Sequence, residues 1–144
     1  MIPISDDNPS RTTPFVTWAI VFVCAAAFVW EISLGRHMGA AIAVLGFTPD
    51  ALTGLPRRLP GYIAVPGIVT IFTAMFLHGG WLHLAGNMLY LWIFGNNIED
   101  AMGHVRYLLF YLLCGAAAAL TMTFIDPASQ IPMVGASGAI SGIL

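Results

Sequence analysis

His83 and Asn87 stand four residues apart in the stretch "FLHGGWLHLAGN" at 76–87. On a helix that spacing puts both side chains on one face, one turn apart. Tyr90 and Phe94 continue the stripe. Polar side chains at membrane depth are costly unless they meet partners or water. An imidazole and an amide together therefore mark either a functional site or a hydrogen bond between helices. The second constellation is "GASG" at 135–138. Gly138 and Gly142 are spaced as GxxxG, so Ser137 can be read as a small residue on a packing face. It can also be read as a nucleophile. A serine in the first turn of a helix lies beside unpaired backbone N–H groups and the positive end of the helix dipole. Flanking glycines, Gly135 and Gly138, let a substrate backbone come close. The N–H groups would stabilise the oxyanion formed when the hydroxyl attacks a carbonyl.

Such a serine needs a base. All five cationic residues are arginines, so a Ser–Lys dyad within this chain is excluded, and the histidines are His37, His78, His83 and His104. His78 precedes Gly79-Gly80 and reads as a residue that caps or orients the start of the helix. A metal site through His78 and His83 lacks a third ligand at natural spacing, and no H-E-x-x-H occurs. No metal and no cofactor is expected. A nucleophile elbow of the α/β-hydrolase kind does not fit, because no strand–helix alternation surrounds Ser137.

The elements that must position these groups are apolar helices. Of the 144 residues, 58% are hydrophobic and only 8% charged, with a mean hydropathy of +0.85. A soluble domain is nearer a quarter charged, so a bilayer is the natural solvent. A net charge of -2 without a basic run points to no nucleic acid partner. Cys24 and Cys114 fall in apolar runs and read as small buried hydrophobes.

Residues 1–13 are a polar tail, and 14–144 form the membrane domain. Spans are expected at about 15–34, 81–98 and 107–125, each close to the roughly twenty residues a bilayer core requires. The first run is too long for a cleavable signal peptide, and Glu31 lies near its end, where it can reach the interface. The connection 35–79, broken by Pro49, Pro56, Pro60 and Pro66, should carry short helices. Its apolar end, interrupted by Pro66-Gly67, reads as an interfacial or re-entrant segment. The "GAAAA" at 115–119 lets a neighbouring helix approach. A fourth span is expected to start at about 136. The eight or so residues left cover roughly 12 Å, so the sequence reads as a piece that stops inside that span.

The order "FLHGGWLHLAGNMLYLWIFGNNIED", a further span and then "GASGAISG" closely resembles the rhomboid intramembrane serine proteases over about 70–144. The resemblance implies an all-α, polytopic transmembrane helix bundle with a long structured first loop, incomplete in this chain. It implies that Ser137 is the nucleophile and that His83 and Asn87 line an oxyanion pocket beside the Ser137 N–H. Gly135 and Gly138 would shape the turn, and His78 would belong to the loop leading into the second helix. Gly95 and Glu99 match a Gly-x-x-x-Glu that closes this helix. The family's base is a histidine in an Ala-His-x-x-Gly pattern of the sixth core span, a position absent here. Some members carry Trp-Arg in the long loop, where this sequence has Arg57-Arg58.

The implied activity is endoproteolysis of transmembrane segments that unwind easily, with the lipid bilayer and membrane-protein substrates as partners. This sequence alone, lacking the base, should be inactive. The implied setting is the cell membrane, with the N-terminal tail cytosolic and the first loop outside. Two rivals remain. One is a catalytically inactive rhomboid-like protein that binds membrane helices. The other is a proton path or small transporter using His83 and Asn87, which requires an inward-facing carboxylate from Glu31 or Glu99.

Overall fold

The computed structural model describes residues 12–54 and 61–144. The expected tail lies outside them up to residue 11, as do Pro56, Arg57, Arg58 and Pro60. Helix α1 spans Phe15–Ser33. A 3-10 turn Gly35–His37, α2 Met38–Leu45 and α3 Asp50–Thr53 follow in the first loop, and then α4 Gly67–Thr73 continues into a 3-10 turn Ala74–Phe76. Helices α5 Trp81–Met102, α6 His104–Ile125 and α7 Ser137–Ile140 complete the chain. Among the described residues there is no strand, only an isolated bridge between Phe47 and Met133. The molecule is an all-α membrane bundle.

Helices α1 and α6 are each long and apolar enough to cross a membrane, while α4 with its turn and α5 qualify as a pair bent by 82°. Helix α5 is diluted by His83, Asn87, Asn96, Asn97, Glu99 and Asp100. The helix runs on past 98, the expected end of the span. The polar "NNIED" continues the helix to Met102, and the stop comes at Gly103 with φ +79°. That left-handed turn suits glycine, and the same residue precedes α6, which starts at His104 instead of 107.

Each long helix buries one stripe. On α1 it is Thr17, Ile20, Cys24, Phe28 and Glu31, while Phe15, Phe22 and Val29 on other faces are exposed. On α6 it is Tyr107, Tyr111, Gly115 and Ala119. These intervals of three and four are one helical face. In lipid the stripes cohere through close packing and hydrogen bonds. At the α1–α5 crossing, a Cβ on Gly95 would stand 2.7 Å from Tyr107 Oη and 3.1 Å from Thr17. Below it, the fully buried Glu99 accepts the backbone N–H groups of Val16 and Thr17, each at 2.8 Å. Those are first-turn donors with no carbonyl of their own helix to bond, and α1 has no other side-chain cap. His104 Nδ1 lies 2.6 Å from the same carboxylate. Glu99 thus ties the start of α1 to α5 and α6.

Candidate active site

The segment before Ser137 is fixed from three sides. Met133 and Phe47 exchange backbone hydrogen bonds at 2.7 and 3.0 Å, Asp50 N–H donates to Ser129 O at 3.3 Å, and Gly135 N–H donates to Ala74 O at 2.8 Å. Gly135 has φ +112°, and a Cβ there would lie 2.5 Å from His83 Nε2, 2.6 Å from His83 Cε1 and 3.2 Å from Asn87 Nδ2. Only a glycine lets the backbone lie against that imidazole and amide. The helical spacing of His83 and Asn87 aims both at the turn that leads into α7.

Ala136 is fully buried, and Ser137 opens α7 with its side chain exposed. The glycines after it fill the packing role of GxxxG. A Cβ on Gly138 would come 2.8 Å from Ala118 Cβ, and one on Gly142 would strike Cys114. Gly138 therefore faces α6, whereas Gly135 faces His83 and Asn87. The two readings of this motif are divided among its residues: the later glycines pack and the serine does not. Ser141 is also exposed, but its hydroxyl donates to Ser137 O at 2.8 Å. Among the described residues the Ser137 hydroxyl makes no such bond.

Helix α5 has no side-chain N-cap, so His78 does not cap it. Its ring is fully buried, with Nδ1 3.2 Å from Phe76 O, and it stands 5.3 Å from the His83 ring at 66°. Tyr90 and Phe94 stack at 6.0 Å further along α5. His78 Nε2 and Asn87 Nδ2 are buried without a hydrogen-bond partner among the described residues. Glu31 turns into the bundle. It is fully buried, and its carboxylate accepts the His78 backbone N–H at 3.1 Å. The signal for this was its place on the α1 stripe, three residues after Phe28. Cys24 and Cys114 are free thiols, and among the described residues no three His, Cys, Asp or Glu side chains converge. A cavity of about 520 Å³ lies between the end of α1, α2 and residues 61–65, and none of the site residues lines it.

A family model for the Rhomboid domain matches residues 66–144, more than half of the sequence. The chain belongs to the rhomboid family. Among curated relatives, Rhomboid-like protein 11, chloroplastic, of Arabidopsis thaliana is 37% identical over 57% of this chain and 29% of its own length. Rhomboid protease GluP of Bacillus subtilis (strain 168) is 40% identical over 51% of this chain and 14% of its own. Inactive rhomboid protein 1 of Drosophila melanogaster is 32% identical over 79% of this chain and 7% of its own. The chain thus spans less than a third of the length of each of these relatives. No solved structure matches significantly. Family membership and the apolar helices make this a membrane protein.

Proposed function

We propose that these residues carry the nucleophile and part of the oxyanion pocket of an intramembrane serine endopeptidase that cleaves transmembrane segments of membrane proteins. The observation that supports this best is the contact of Gly135 with His83 and Asn87. It brings two polar side chains of one span against the turn that presents Ser137. In the proposed reaction Ser137 Oγ bonds to the scissile carbonyl carbon and its proton passes to a general base. The carbonyl oxygen takes the negative charge and is held by the Ser137 N–H, Asn87 and His83. The C–N bond then breaks, the amine takes the proton from the base, and water hydrolyses the acyl-enzyme to restore the serine. We place the base outside residues 1–144, in keeping with the greater length of the relatives. His83 is engaged against Gly135 and is assigned to the pocket.

A substrate helix hides its carbonyls in hydrogen bonds, so the substrate class is a span carrying residues of low helix propensity near the cut. The compartment we propose is the cell membrane with the tail cytosolic. A membrane-impermeant thiol reagent tests it on a cysteine introduced at Ser10 of the intact natural protein, which should label only in opened cells.

The match to a relative named as inactive favours one rival, a rhomboid-like protein that binds helices without cutting them. The proton-path reading has less support. Glu31 and Glu99 both turn inward, but their hydrogen bonds go to His78 N–H and to the start of α1 with His104, not to His83 or Asn87. The test is Ser137→Ala in the intact natural protein. It should abolish cleavage of a transmembrane substrate with no fall in Tm. Unchanged cleavage would end the protease reading, and a wild type that binds such segments without cutting them would favour the binder.

A further inference from the structure

Glu31 is a carboxylate in the last turn of a membrane span, fully buried. Carboxylates within membrane spans are rare and persist where a specific partner holds them. Its hydrogen-bond donor among the described residues is the backbone N–H of His78, 3.1 Å from one oxygen and 3.4 Å from the other. That N–H lies in the break between the turn Ala74–Phe76 and α5, where the pair bends by 82°, so no helical carbonyl is available to it. Gly79 and Gly80 follow, and such a link is soft unless anchored. The Phe28 ring packs edge-on against Trp81, the first residue of α5, at 5.0 Å, so α1 also meets the far end of this link.

The anchored residue reaches the candidate site. His78 Nδ1 is 3.2 Å from Phe76 O, so that nitrogen carries the proton, and the ring then stands 5.3 Å from the His83 ring. His83 in turn lies against Gly135. One line of contacts therefore runs from the Glu31 carboxylate through the His78 backbone and ring to the His83 ring.

We propose that Glu31 is a positioning residue for the oxyanion side of the site. Acting through His78, it sets the orientation of the His83 ring. The catalytic consequence rests on the protease reading; the positioning itself does not. The interaction needed is acceptance of one N–H, which a glutamine carbonyl can supply and a methionine cannot.

The experiment compares Glu31→Gln and Glu31→Met in the intact natural protein in detergent micelles. One readout is NMR of isotope-labelled histidine rings; the other is turnover of a transmembrane peptide. Glu31→Gln should keep the wild-type His83 ring resonances and at least a third of kcat. Glu31→Met fills the same space without the acceptor. It should shift the His78 and His83 ring resonances and lower kcat about tenfold or more per folded molecule, with KM within twofold. The proposal is overturned if Glu31→Met leaves the His83 resonances in place. It is equally overturned if that variant lowers only Tm, or if Glu31→Gln loses as much as Glu31→Met. Should Glu31→Met not fold, the Glu31→Gln resonances and kcat still decide. If wild type neither cleaves nor reacts with a fluorophosphonate, the protease reading fails while the ring resonances still judge the positioning.

Discussion

Replacing Gly135 with alanine adds one methyl carbon at the point where the turn before Ser137 meets α5. That carbon would lie 2.5 Å from His83 Nε2 and 2.6 Å from Cε1. Ordinary carbon contacts begin near 3.5 Å, so the ring or the turn must retreat by about 1 Å. Neither is free to do so. The turn is tied by Gly135 N–H to Ala74 O and by Met133 to Phe47, and the ring packs beside the buried His78. The backbone adds its own cost, since φ +112° at a residue with a side chain is worth about 1–3 kcal/mol. A displacement of about 1 Å between reacting groups costs on the order of 10²-fold in rate. Gly135→Ala should therefore lower kcat/KM about 10²-fold per folded molecule, together with a fall in Tm. The assay is cleavage of a transmembrane peptide by the intact natural protein in proteoliposomes, normalised to the folded fraction from thermal unfolding. Turnover within threefold of wild type would refute the reasoning, because it would mean that the His83–Gly135 contact does not shape the site.

Asn87→Ala should lower kcat by roughly 10²–10³ if the amide donates to the oxyanion, with Tm little changed; steady-state kinetics on the same peptide checks this. Glu99→Ala should act on stability, because it strips the acceptor from the part-buried N–H of Val16 and the buried N–H of Thr17. The loss should be about 1–3 kcal/mol for each donor left unsatisfied, visible as a lower Tm, with the kcat of the molecules that remain folded close to wild type.

The helices were legible because apolar runs and their three-and-four spacing are local properties of the chain. The pairing of His83 with Asn87 followed from spacing alone, and so did the glycine stripe of 138 and 142. What spacing could not supply was the partner of each polar group. The fates of Glu31 and Glu99 depend on contacts 47 and 83 residues away. A carboxylate turned into the bundle and an exposed one look alike in sequence unless the helix face is followed to its end. The extension of α5 beyond 98 is hidden for a related reason. Its polar residues signalled an interface, yet a helix can continue through an interface, and Gly103 stops it. His78 looked like a cap because glycines follow it; its backbone N–H proved to be the group that is held. The contact of Gly135 with α5 needed the fold, since the loop is held by backbone bonds to Phe47, Asp50 and Ala74, all distant in sequence.

The central claim is that the hydroxyl of Ser137 is chemically singled out in the protein. Treatment of the intact natural protein with a fluorophosphonate, followed by tandem mass spectrometry, tests it directly. One adduct is expected, on Ser137, lost in Ser137→Ala and absent from Ser141, whose hydroxyl is engaged with Ser137 O. An adduct on Ser141, or a protein that cleaves its substrate without any adduct on Ser137, would contradict it.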